Sequence, residues 1–396
     1  MSHMVSYSRI PSQDLFPTKG PVAPRQMIGR EEEVTALVAQ LAGGSHQVLA
    51  GPRRTGKTSV CDAAVARLRS SGSYVVSVDL FQVESLTSLA ELIARRALTN
   101  RSAVKQALPA LTRAARRVGR AAQVSATLHH EFGTDIEFAF APLANRKTPD
   151  AQFDFALALL EKLAVADGHS LVLYLDEFQE IEVGGRRFGD PDLLTKKMRA
   201  ILQRSPHVTC LFAGSIEHMM REIFTPKSRA MYQFAGFFTL DPIDEDDWRR
   251  SLRKVYLRDE TTITDEALDA LLQYSEAAAR ATMLIAQQSH VVAVEKGSFV
   301  VGVTEVIQGL GYAMSAELPT HEGEVSRIRG LRVHALAVAQ RLARGEAPYG
   351  GDLDDQQVRR ALNSLRTAGI AVHIKTGDWR IVDPLLSRYL DGFATY

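Results

Sequence analysis

Residues 51–60 read GPRRTGKTSV, set between the apolar run HQVLA at 46–50 and the helix-like CDAAVARLRS at 61–70. Gly51, Gly56, Lys57 and Thr58 fall on the spacing G-x-x-x-x-G-K-[ST]. They do so where a strand gives way to a helix, the context in which such a loop wraps phosphate. Successive backbone N–H groups and the helix N-terminus make an anion cradle there. The Lys57 ammonium is expected to reach the β and γ phosphates of ATP, and the Thr58 hydroxyl to ligate Mg2+. Gly51, Pro52, Arg53, Arg54, Thr55, Gly56, Lys57, Thr58 and Ser59 thus form the candidate nucleotide-binding loop. A bare strand-to-helix turn would explain the glycines, but not a lysine and a threonine in register with them.

A loop that holds ATP needs acids to hold the metal and activate water, and LVLYLDEFQ at 171–179 supplies them. The apolar run from Leu171 to Leu175 predicts a buried strand, with Asp176 and Glu177 emerging at its carboxyl end, where open α/β sheets bind ligands. Asp176 is expected in the magnesium shell with Thr58, and Glu177 is expected to polarise the attacking water. Two adjacent acids alone would be an ordinary solvated strand end. Their pairing with the loop upstream gives them the functional reading.

The 396 residues exceed what one ordinary core holds, so two or three domains are expected. Lys and Arg number 47 against 46 Asp and Glu, a net charge of +1, so any attraction to nucleic acid or lipid has to come from local patches. The two cysteines, Cys61 and Cys210, lie far apart beside predicted core elements and read as buried thiols in a reducing compartment. No apolar run is long enough for a membrane span and no signal-peptide pattern opens the chain, so a cytoplasmic location is expected. The opening Met1-Ser2-His3-Met4 has the look of a cloning scar.

Residues 1–26 carry Pro11, Pro17, Pro21 and Pro24 with few periodic apolar positions, and are expected to be an extended arm. From 27 to 240, the runs HQVLA, YVVSVDL, LVLYLDE and VTCLFAGS are each followed by an amphipathic stretch. That alternation predicts an α/β domain, a parallel sheet with helices on both faces. After Pro242 the strand signal stops, and DEDDWRRSLRKVYL, TDEALDALLQYS, RATMLIAQQSHVVAVE and TEVIQGLGYAMSAE predict a helical subdomain over 241–320. Over 321–396, a helix from Val325 to Ala343 and a second from Asp355 to Ala368 precede the hairpin AVHIKTGDWRIVD, with its turn at Thr376-Gly377-Asp378. Helices followed by a two-stranded wing are the pattern of a winged helix.

In the second of those helices Val358, Ala361, Leu362 and Leu365 make a core-facing stripe, which leaves Gln356, Gln357, Arg359, Arg360, Asn363 and Ser364 outward. These donor-rich types read base edges and phosphates, so Arg359 and Arg360, with Lys375 and Arg380 of the wing, are candidate DNA contacts. From Glu324 onward there are 11 basic and 8 acidic residues, a net charge of only +3. Winged helices also dock proteins, so duplex DNA and an effector protein both stay open as partners. A basic insertion near 95–145 adds a second patch. Between 92 and 130 there is no Asp or Glu, yet Arg95, Arg96, Arg101, Lys105, Arg113, Arg116, Arg117 and Arg120 fall there. Such density suits a polyanion, an acidic protein surface or a membrane-surface helix, or is a solvated face. The hairpin-like strands VSATLHHEF and TDIEFAFAP close the insertion.

The paired acids and the phosphate loop, with MIGREEEV at 27–34, VTCLFAGS at 208–215 and the helical block beyond, resemble the AAA+ superfamily. Within it the chain is most similar to the archaeal-type ATPases of the STAND branch, relatives of origin-recognition initiators. The paired arginines of the loop, the sequence DEFQ and the closing IVDPLLSRYL carry that likeness. The resemblance implies a P-loop AAA+ sheet, a helical lid at 241–320 and a C-terminal winged helix. It places Ile28, Gly29 and Arg30 near the adenine, Ser215 as a polar sensor of the γ-phosphate, and Arg280 as a second sensor at the start of a lid helix. The archaeal-type pattern expects a glycine-arginine pair shortly before the lid, where this chain has Gln233-Phe234. Arg229, just upstream, is the candidate for an arginine finger in a nucleotide-dependent homo-oligomer. The expected activity is a MgATP-hydrolysing switch whose ATP or ADP state repositions the winged helix, with DNA as the expected target. The alternative is a nucleotide-gated scaffold that turns over little ATP and docks an effector protein.

Overall fold

The computed structural model describes residues 10–18, 20–51, 55–100, 148–350, 353–375 and 378–392. Pro52, Arg53, Arg54, the insertion from Arg101 onward with its expected hairpin, and Thr376-Gly377 of the expected wing turn lie outside the described residues. The chain divides into two compact units. One comprises Glu33–Gly51 and Val60–Thr239, and the other Met1–Glu32, Pro52–Ser59 and Leu240–Tyr396.

The first unit is built on the strands β1 (Gln47–Ala50), β2 (Tyr74–Asp79), β3 (Leu171–Asp176), β4 (Val208–Gly214) and β5 (Gly236–Phe238). They pair in parallel in the order β2-β3-β4-β1-β5. Four of these strands are the four apolar runs of the sequence, whose continuous apolar character fits strands covered on both sides. The three-residue β5 was not anticipated, being too short to show a period. Helices Leu86–Leu98 and Pro149–Asp167 begin at the side-chain caps of Ser85 and Thr148, which accept the N–H groups of Ser88 and Ala151. Their Leu89, Ile93, Phe153, Leu157 and Leu160 share one core with Val76, Leu173 and Phe212 of the sheet. Each such side chain contributes about 1.5–3 kcal/mol by leaving water. Both cysteines are buried and unbridged.

At the start of β1, His46 stacks on Phe234 with ring centroids 4.4 Å apart, and its Nδ1 accepts the Cys210 N–H at 2.9 Å. That bond fixes the neutral ring, and burial lowers the His46 pKa below its ordinary 6.5. Below that value the unfolded chain binds more protons at His46 than the folded one, so His46 makes stability fall as pH drops through 6.5. His46→Asn keeps an acceptor that does not titrate. Denaturant unfolding at about pH 7.5 and about pH 5.5 should show a larger loss in the wild type than in the variant, and equal losses would remove His46 as the cause.

The second unit corrects three sequence expectations. Residues 10–26 are not an extended arm. Ser12–Leu15 is a helical turn and Pro24–Gln26 a 3-10 turn, with Leu15 and Phe16 fully buried. Phe16 packs on the Tyr256 and His290 rings at 4.8 and 5.8 Å, and Ser12 Oγ pairs with His290 Nδ1 at 2.8 Å. A single turn is too short to display a helical period, which is why proline dominated the reading. Strand structure also does not stop at Pro242, since β6 (Thr262–Ile263) and β7 (Val300–Val301) form a short parallel pair.

The third correction is that the helices read at TEVIQGLGYAMSAE and from Val325 are one helix, Val303–Leu331, which runs through Pro319 and past the expected boundary at 320. It ends before Ala335–Ala343 begins, so no helix spans Val325 to Ala343. An interior proline costs about 3 kcal/mol. Val306, Leu310, Ala313 and Met314 on one side of it and Ile328 on the other are buried in two separate cores, and together outweigh that cost. The first core also holds the helices Glu245–Leu257, Asp265–Ser275 and Ala279–Glu295. The second holds Ala335–Ala343, Asp355–Thr367, Pro384–Leu390 and the antiparallel hairpin β8 (Ala371–Lys375) and β9 (Asp378–Ile381).

Candidate functional site

In the first unit the acids stand where the strand ends. Asp176 is the last residue of β3, in register with Asp79 at the end of β2. Glu177 follows with φ of +51°, a left-handed conformation that costs a non-glycine residue about 1–3 kcal/mol. Phe178 offsets that cost. Its ring is fully buried against Phe212 and Phe224 at 4.6 and 5.7 Å, and its N–H donates to Ala213 O at 2.8 Å. The DEFQ turn is thereby pinned across β3 and β4, so that Ser215, directly after β4, donates its Oγ–H to Glu177 Oε2 at 2.7 Å. Two of the expected site residues, 38 positions apart, are brought into direct contact.

Burial is the main cause that raises the Asp176 pKa, with the neighbouring Glu177 and Asp79 carboxylates pushing the same way. The Glu177 N–H and the Tyr174 hydroxyl pull it back. A half-buried carboxyl beside two further acids fits a cation. Among the described residues there is no group of three or more His, Cys, Asp or Glu able to hold a metal alone. An ion here would therefore draw most of its ligands from phosphate and water, as Mg2+ does. Arg229, also in this unit, donates to Asp192 at 2.7 Å and pairs with Glu182, so its charge is already engaged. Gln233, at the departure from the archaeal-type pattern, has φ of +54°, where a glycine would be unstrained.

In the second unit, a helix begins at Lys57 directly after Thr55 and Gly56, as the loop motif requires. Lys57 is buried, Thr58 is exposed, and Ser59 Oγ accepts the Val22 N–H at 2.9 Å. Ile28 is buried, and Gly29 has φ of +58° with Ile243 Cγ2 only 2.7 Å from where a Cβ would stand. Only glycine fits there on both counts. Arg30 is buried and donates to Asp241 O at 2.7 Å. Arg280 is the second residue of Ala279–Glu295, and its two terminal nitrogens each meet a Glu317 oxygen at 2.8 Å. This fork is a strong charge-assisted pair.

A cavity of about 310 Å³ joins several of these residues. Thr55, Arg30 and Arg280 line it, and so do Val372, Ile374 and Arg380 of the hairpin. Arg380, expected among DNA contacts, lines this cavity and lies 3.8 Å from Glu276. Arg359 and Arg360 are exposed beside the buried stripe of Val358, Ala361, Leu362 and Leu365, as the periodicity implied.

The pattern of residues 26–212 matches a family model described as an AAA ATPase domain. The fold is that of a P-loop AAA+ ATPase. A Walker-type ATPase of Pyrococcus abyssi superposes with a TM-score of 0.70 at 15% identity over 95% of this chain and 99% of that one. The Aeropyrum pernix ORC2 protein, in complexes with ADPNP and ADP, aligns with a TM-score of 0.57 at 17% identity over 96% of each chain. Comparison with curated proteins yields no match. No helix among the described residues is long and apolar enough to cross a membrane.

With this fold the chain presents a candidate phosphate loop, a cation-compatible aspartate and a glutamate held at a strand end. Sequence reasoning missed Gln179, which donates to the same Glu177 oxygen as Ser215. Its signal was present in DEFQ, where a polar residue follows a core phenylalanine. Glu317, the partner of Arg280, gave none. An acid inside a long amphipathic helix is usually solvated.

Proposed function

We propose that this chain is a MgATP-driven molecular switch of the STAND type that couples ATP hydrolysis to movement of a C-terminal winged helix acting on duplex DNA. The observation that carries the reading is the cavity lined at once by Thr55 of the phosphate loop, Arg280 of the lid and Arg380 of the wing. A ligand there would touch all three elements, so ATP and ADP would favour different positions of the wing to the extent that their contacts differ.

In this reading the Lys57 ammonium neutralises the β and γ phosphates while backbone N–H groups of residues 51–59 cradle them. Thr58 and Asp176 hold Mg2+, which when bound neutralises charge on the phosphoryl oxygens. Glu177 takes the proton of the attacking water. Ser215 orients Glu177, and Ile28, Gly29 and Arg30 flank the base. Arg280 has to exchange Glu317 for phosphate, which gives the lid two discrete states. Arg380 joins the nucleotide residues, and Arg359 and Arg360, with Lys375 as read from the sequence, remain the DNA contacts of this reading. The engaged Arg229 supports an intrachain role over an arginine finger. The second reading, a scaffold of low turnover that docks an effector protein, is favoured by one observation, the closed Arg280–Glu317 fork.

The test is ATP turnover with and without duplex DNA, with the mass of the assembly measured in each nucleotide state. Absence of turnover and retained nucleotide would favour the scaffold. Replacing Arg359 and Arg360 together by Ala should leave ATP binding and folding intact, because both are exposed. Duplex affinity should fall, and the slope of log affinity against log salt should become shallower by about one to two units, as two phosphate contacts vanish. An unchanged slope would take this helix out of the DNA interface.

A further inference from the structure

Glu177 Oε2 accepts from two side chains at once, Ser215 Oγ at 2.7 Å and Gln179 Nε2. Both donors hold the same oxygen, Oε2, and leave Oε1 to accept from elsewhere. Gln179 is only 2% exposed, and its own Oε1 is buried without a partner. A residue retained there for packing alone would be better served by Leu or Met, which fill similar space without an unmade hydrogen bond. The amide is present despite that cost.

The backbone makes room for it. A Cβ at Gly214 would stand 2.6 Å from Gln179 Oε1 and 2.6 Å from both Cγ and Sδ of Met220. The last residue of β4 therefore has to be glycine for Gln179 to lie against Glu177. The left-handed φ of Glu177 turns its side chain back toward that amide, and Phe178 locks the turn.

We infer that Gln179 is a positioning residue that, with Ser215, fixes the Glu177 carboxylate by Oε2 and assigns Oε1 as the atom that takes the proton of the attacking water. The inference rests on the proposed reading of Glu177 as the water-polarising group. Without the Gln179 donor, the carboxylate keeps its charge but gains a torsional freedom that Ser215 alone does not remove. Binding of ATP is untouched, because Gln179 is not placed on the phosphates in this reading.

The test is Gln179→Leu, which keeps volume and deletes the donor. Expected is a fall in kcat of about 10- to 100-fold, the scale of a reacting group displaced by about 1 Å, with ATP affinity and KM within about twofold of wild type. In a Glu177→Gln background the same substitution should cost nothing further, since it acts only through the carboxylate. Retained ATP affinity reports the folded state. If Gln179→Leu does not fold, Gln179→Met takes its place with the same expectation. Wild-type or raised kcat in the Gln179 variant, or an equal loss in the Glu177→Gln background, overturns the positioning role while leaving Glu177 in place. Wild-type turnover by Glu177→Gln itself overturns the reading beneath it.

Discussion

Lys57→Ala is expected to weaken ATP binding by roughly 100-fold or more, to the point of abolishing it at ordinary concentrations. In the proposed reading the Lys57 ammonium is the main side-chain counter-charge that the loop at 51–59 offers to the β and γ phosphates. Its side chain is already buried at the first turn of Lys57–Ser70, so little ordering remains to oppose the contact when nucleotide arrives. Alanine leaves the backbone cradle and the helix N-terminus in place, and alanine is a good helix former. The loss should therefore appear in affinity with the fold intact. Calorimetric titration of the variant with ATP and Mg2+ checks this, and wild-type affinity would refute the assignment of the loop.

Glu177→Gln should separate binding from chemistry. The amide preserves size and removes the charge that draws a proton from water, so turnover should fall by about 100- to 10,000-fold while MgATP stays bound. Ser215 and Gln179 both point donors at Glu177 Oε2. A glutamine can still present its carbonyl oxygen to them, so the turn through Phe178 is retained. The expected variant is a stable ATP-loaded form, observable as bound nucleotide after gel filtration with little phosphate released. If its turnover matched the wild type, another group would be positioning the nucleophile.

The two predictions draw on information of different kinds. The loop at 51–59 is a local object, in which a strand, a glycine-spaced turn and a helix start follow one another within a few residues, and local spacing is what a sequence displays. The β3 run LVLYL was legible for a related reason. A strand covered on both faces has no polar side, so it reads as an unbroken apolar run. The stripe Val358, Ala361, Leu362 and Leu365 was equally plain, because a helix half buried on its own core writes its period into the chain. These features point to a P-loop α/β unit with a helical part beyond it.

What the sequence could not carry were relations between residues that no period links. Ser215 meets Glu177 only because β3 and β4 are neighbours and the Phe178 ring is buried across them. Gln179 finds its place only because Gly214 has no side chain. Phe16 was hidden in a proline-rich stretch, since one buried ring and one helical turn leave no pattern, yet it enters the same core as Tyr256. Pro319 argued for a helix end and was overruled by burial on both sides of it. Arg280 was singled out by position, but its bidentate hold on Glu317 depends on the packing of two helices that meet 37 residues apart. The sequence by itself determined the four long strands, the stripe of Asp355–Thr367 and the candidate loop at 51–59, because propensity and spacing are local. The tertiary structure decided which oxygen of Glu177 is held, where Arg380 faces and that Arg280 pairs with Glu317, because hydrogen bonds and buried contacts form between whichever residues the packing of a core brings within reach.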